Sequence, residues 1–91
     1  MHIIVAYDIV DNKIRNKVAK ILGNYGSRVQ KSVFECRIND RQYLKMRSEI
    51  EIKIDFQADS VRYYPICARC AGNIEVAGWG SVMDDSDVII I

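Results

Sequence analysis

Two segments with helical apolar spacing, each set between runs of β-prone residues, place this chain of 91 residues in the α+β class. A third observation sharpens the expectation: the opening run Ile3-Ile4-Val5-Ala6 is continuously apolar, so a strand there is covered on both faces. A chain of this length makes one domain that buries only about 60% of its unfolded surface, so burial in an oligomer would add stability.

The first strand is expected over residues 2–8. Asp11 or Asn12 is placed to cap a helix in which Ile14, Val18, Ile21, Leu22 and Tyr25 form one stripe, with Gly23 and Gly26 at its end. Residues 28–38 read as the next strand, with Phe34, Cys36 and Ile38 on one face and Val29 and Val33 on the other. Asn39 or Asp40 caps a second helix that turns Tyr43, Met46, Ile50 and Ile54 inward. Ile50, Ile52, Ile54 and Phe56 also alternate as a strand would, and the helical reading is preferred. Residues 61–67 and 74–77 supply further strands. With four strands and two helices, the expected architecture is the ferredoxin-like β-α-β-β-α-β plait over residues 1–80.

Such a plait packs both helices on one face of its sheet. The other face, apolar in the first two expected strands, needs a cover, and a second copy in a two-fold dimer is the simplest. Residues 81–91 form a tail ending in Val88-Ile89-Ile90-Ile91, expected to add a short strand to a partner subunit's sheet edge.

The formal net charge of +1 hides a division. Residues 12–33 hold Lys13, Arg15, Lys17, Lys20, Arg28 and Lys31 and no acidic residue, whereas acidic residues outnumber basic ones in the remainder. Such a surface suits phosphate, beside the single carboxylate of Asp8 at the end of the first strand. Lys13, Lys17 and Lys20 share one helix face. A solvated helix surface is the alternative. The apolar runs are far shorter than the roughly 20 residues of a membrane span, and no charged leader precedes Met1-His2-Ile3, so a cytoplasmic protein without a membrane partner is expected.

Tyr7-Asp8-Ile9 at the end of a first strand, a cationic helix, and then Gln30-Lys31-Ser32-Val33-Phe34 resemble the CRISPR-associated Cas protein two family, the small subunit of the spacer-acquisition machinery. The likeness covers most of the chain, and its specificity lies in the first third. It implies the plait, a homodimer, an endonuclease activity on phosphodiester bonds in RNA or DNA, and a partner in the large subunit of the CRISPR integrase. It implies magnesium at Asp8, one ion shared by the two Asp8 carboxylates of the dimer. It further implies nuclease roles for Tyr7, Arg15, Lys17, Arg28 and Phe34. Lys17 departs from the arginine of some members, keeping the charge without the bidentate fork.

The residues alone leave alternatives open. Asp8 is placed equally to cap a turn, Asp11 to cap the helix or to support the metal residue, and Phe34 to stack on a base or fill the core. Cys67-Ala68-Arg69-Cys70, with Cys36 and His2, offers a zinc set or a redox pair, but it follows a strand and Pro65 rather than opening a helix. Three cysteines also leave one unpaired in any disulfide scheme. Two functional classes remain besides a C-x-x-C metal carrier: a metal-dependent endonuclease, and a non-catalytic scaffold that holds duplex DNA for the integrase.

Overall fold

The computed structural model describes residues 1–66 and 75–78. Its elements are β1 (His2–Asp8), α1 (Asn12–Gly23), β2 (Gly26–Gln30), β3 (Val33–Arg37), α2 (Asp40–Glu51), β4 (Ser60–Pro65) and β5 (Glu75–Gly78). The sheet runs β2-β3-β1-β4-β5, and every neighbouring pair is antiparallel. The first four strands and both helices are the ferredoxin-like plait. β5 extends it beyond β4.

Alternation along β1 decides the layers. Ile3, Val5 and Tyr7 are buried, while His2, Ile4 and Ala6 are half-buried and Asp8 is exposed. Val18 and Leu22 of α1 and Met46 and Ile50 of α2 join Phe34, Cys36, Val61 and Tyr63 in the same apolar cluster as the odd residues of β1. Both helices therefore cover one face. On the other, Ile4 sits between Glu35 and Tyr64, and Ala6 between Val33 and Arg62. That open face has an apolar middle and a polar flank, where His2 Nε2 meets Glu35 Oε2 at 2.6 Å.

The single strand expected over residues 28–38 is instead a hairpin. Arg28 pairs with Phe34 and Gln30 with Val33, which leaves Lys31 and Ser32 as the turn. A strand of that length would overrun β1; folded back, β3 bonds to β1 and β2 bonds to β3. No non-glycine residue described has a positive φ, so the turn is not the mirror-image type that matches strand twist. The pairing slips between Arg28 and Gln30 instead, and Val29, at the slip, stands in solvent rather than on an apolar face. With the hairpin supplying two strands, residues 75–78 become a fifth strand rather than the last of the plait.

Local signals account for the helices. Asp11 caps α1 by accepting from the N–H groups of Lys13 and Ile14, and Asn39 and Gln42 form a reciprocal capping box on α2. α1 stops at Gly23, with Asn24 in the right-handed region as its cap. Gly26 has a different task from the helix end expected of it. A Cβ there would run into the Glu35 carbonyl and the Cys36 thiol, so the close approach of β2 to β3 requires glycine. Past α2, Ile54 reaches the core while Ile52 is 77% exposed, so the alternation of residues 50–56 belongs to a helix end and a loop.

No helix among the described residues is long and apolar enough to cross a membrane. The expected strand at residues 88–91 and the pair Cys67 and Cys70 lie outside the described residues.

Candidate nucleic-acid and metal interface

Asp8 ends β1 on the open side of the sheet, exposed, and opposite Ser60 of β4 in the strand register. Its backbone is held on both sides. Tyr7 N–H donates to the carbonyl of Ser32 in the β2–β3 turn at 3.1 Å, and Arg15 Nη1 donates to the carbonyl of Ile9 at 3.1 Å. The hairpin turn and the first turn of α1 are thereby tied to the residues flanking the carboxylate. Ile9 is buried as a plug, whereas Val10, Asp11 and Asn12 are exposed.

Lys13, Lys17 and Lys20 line the solvent side of α1, and Lys31 stands in the turn, all exposed. Arg15 is half-buried through its bond to Ile9. Arg28, on the edge strand β2, lays its guanidinium 5.2 Å from the centre of the Phe34 ring. The same ring stacks on Tyr7 at 6.3 Å. Phe34 is 3% exposed and Tyr7 6%, so these rings fill the core behind Asp8, with Arg28 as their lid towards solvent. Of the residues that the sequence brings forward, Arg15 and the turn that carries Lys31 are thus tied to the backbone on either side of Asp8, Tyr7 and Phe34 lie in the core, and Lys13, Lys17 and Lys20 stand apart on the exposed side of α1.

Asp11 behaves as a cap. The Ile14 and Lys13 N–H groups lower its carboxyl below the usual carboxylate value, and nothing described connects it to Asp8. Cys36 and His2 do not form half of a metal set. Cys36 is on the helix face, where burial and then the Glu35 charge push its thiol up to about 11; His2 is on the open face, bonded to Glu35. A neutral, enclosed thiol is a poor ligand.

Asp59 escaped the sequence reading. It is 1% exposed, and its carboxylate accepts from Val10 N–H at 3.2 Å and from Asp55 N–H at 2.9 Å. In one dimension it is an acidic residue before a strand, and no spacing announces its burial.

Among the described residues, no three His, Cys, Asp or Glu groups come together as a metal cage. The end of β1 offers one exposed carboxylate, Asp8, which suits a hydrated magnesium ion that takes one or two carboxylates and keeps several waters. It does not suit a fully protein-ligated transition metal.

Residues 1–74 match the family described as CRISPR associated protein Cas2. The chain belongs to the Cas2 family. It is 38% identical over 92 residues to a protein of Chloroflexus aurantiacus named CRISPR-associated endoribonuclease Cas2 1, covering 100% of this chain and 99% of the relative. It is 39% identical over 87 residues to CRISPR-associated endonuclease Cas2 2 of Thermus thermophilus, covering 96% and 92%. Among solved structures, Streptococcus pyogenes Cas2 at pH 6.5 superposes with a TM-score of 0.71 at 31% identity, covering 82% of this chain and 96% of that one. A hypothetical protein of Thermus thermophilus matches with a TM-score of 0.71 and 40% identity, covering 74% and 82%. The expected family, plait and nuclease-type CRISPR function therefore stand, and the family carries with it an association with nucleic acid and with oligomers.

Proposed function

We propose that the chain is a magnesium-dependent endonuclease of CRISPR spacer acquisition, acting as a two-fold dimer with Asp8 of each subunit at the shared metal. The observation that supports this best is an exposed carboxylate at the end of a central strand, on the open face, whose two flanking residues are tied by hydrogen bonds to the β2–β3 turn and to α1. A carboxylate carried on a backbone held this way meets its ligand with only its own side-chain rotation left to lose.

A second copy over the open face covers Ile4, Ala6, Val33 and Tyr64 and brings the two Asp8 residues towards the axis. Two such carboxylates repel unless a cation or a proton lies between them. A magnesium ion held by the two Asp8 carboxylates would supply the charge that polarises the scissile phosphate and lowers the pKa of a bound water. The protein's own groups do the rest. Lys13, Lys17, Lys20 and Lys31 hold phosphate without reading sequence, Arg15 and Arg28 add charge near the strand end, and Tyr7 and Phe34 brace the strand from below. The substrate is RNA or DNA, and the large integrase subunit is the partner in the cell, where the protein works in the cytoplasm.

The test is Asp8→Asn in the full chain. It should abolish magnesium-dependent cleavage while preserving the dimer, with metal-free duplex affinity unchanged or higher, since two negative charges facing phosphate are gone. Cleavage that survives the substitution sinks the assignment. A wild-type protein that never cleaves, yet supports spacer integration as well as Asp8→Asn does, makes the chain a scaffold.

A further inference from the structure

The three residues that link β1 to α1 have one buried apolar anchor, Ile9; Val10 turns its side chain to solvent at 74% exposure. Polar bonds must hold the rest. One is the Arg15 bond to the Ile9 carbonyl, and the other is the bond from Val10 N–H to Asp59 Oδ1. Asp59 is itself fixed. Its second oxygen takes Asp55 N–H, its own N–H donates to the Asp55 carbonyl at 2.7 Å, and Ser60 beside it is the register partner of Asp8. Its main-chain carbonyl lies against Gly78, where φ is +101° and a Cβ would collide with it, so β5 closes directly over this corner. Both carboxylate oxygens are thus engaged by main-chain donors from two loops. An enclosed carboxylate with two backbone bonds is a rigid spacer, because breaking either bond strands a buried polar group.

We propose that Asp59 is a positioning residue for Asp8: by clamping Val10 to the start of β4, it sets where the β1 carboxylate stands relative to its cross-strand neighbour and to the first turn of α1. The assignment rests on the reading of Asp8 as the metal residue for its consequence, and on hydrogen bonding for its geometry. Asp59 touches neither metal nor substrate; it acts through the backbone of residues 8–10.

The full-length protein is compared with Asp59→Asn, Asp59→Ala and the core control Ile50→Val, with Mn2+ as the probe ion. Asp59→Asn keeps the shape and leaves one of the two N–H groups without an acceptor. In metal-free protein, amide exchange at Val10 should accelerate by about ten-fold or more and the Asp8 amide shift should move; Mn2+ affinity should fall about ten-fold, as for other residues that orient a ligand indirectly. Ile50→Val, destabilised to a similar degree, should change neither Val10 exchange nor Mn2+ affinity. If Asp59→Ala does not fold, Asp59→Asn decides. Val10 exchange and an Asp8 shift that stay with the control overturn the proposal, as does faster exchange with unchanged Mn2+ affinity. A wild type that binds no Mn2+ refutes the metal reading instead, and the Asp8 shift in Asp59→Asn then decides whether Asp59 positions that residue.

Discussion

Replacing Phe34 by leucine separates two roles that a loss of activity in an alanine variant would confound. Phe34 lies 3% exposed between the Tyr7 ring at 6.3 Å and the Arg28 guanidinium at 5.2 Å. Leucine keeps most of the apolar burial and removes both ring-specific interactions. An aromatic pair contributes about 0.5–1.5 kcal/mol beyond burial and a partly exposed cation–π interaction about 0.5–1 kcal/mol, so Phe34→Leu should cost roughly 1–2.5 kcal/mol. For a domain of this size that lowers the melting temperature by roughly 5–20 °C. Phe34→Ala should cost about 3–5 kcal/mol, a large share of the stability of a small domain. Melting by circular dichroism is paired with cleavage of a labelled duplex well below both transitions. The expected result is a lower melting temperature with nearly normal cleavage in Phe34→Leu. A variant that melts like the wild type but no longer cleaves or binds would refute the core assignment and return the ring to the substrate.

Three further outcomes are expected. Replacing Lys13, Lys17 and Lys20 together by glutamine should flatten the dependence of log K on log salt by about 0.9 for each phosphate no longer neutralised, equally for unrelated duplexes; an unchanged slope makes that helix face ordinary solvated surface. Cys36 rises from 9.0 to about 11 on folding, so the unfolded chain releases its thiol proton first and stability declines between those pH values. The Cys36 part of the decline reaches about 3 kcal/mol at most and sets in near pH 9; comparing denaturation midpoints at pH 8 and pH 11, the loss should be smaller by that part in Cys36→Ala, the remainder belonging to Tyr25 and Tyr63, whose phenols burial also raises. Gly26→Ala should destabilise by about 1–3 kcal/mol in urea melts, because the β2–β3 approach leaves no room for a Cβ; an unaltered midpoint would mean that the hairpin readjusts freely.

What the sequence determined by itself is what short-range chemistry encodes. The stripe from Ile14 to Leu22 and the Asp11 cap specified α1, and Phe34, Cys36 and Ile38 specified a buried strand face, because period and capping act within a few residues. Tyr7-Asp8-Ile9 and the cations after it marked the candidate site that the proposal rests on, since unlike residue types gathered in one stretch are visible in one dimension. The tertiary structure decided what depends on which segments meet. Residues 28–38 are as β-prone as a single strand would be, and only the seven-residue span of β1 and the need of every backbone N–H for a partner fold them into a hairpin. Likewise, nothing near Asp59 in sequence distinguishes it from an exposed loop carboxylate. It is buried because Val10, forty-nine residues earlier, brings it an N–H donor, and pairings over that distance are settled by the packing of the whole sheet.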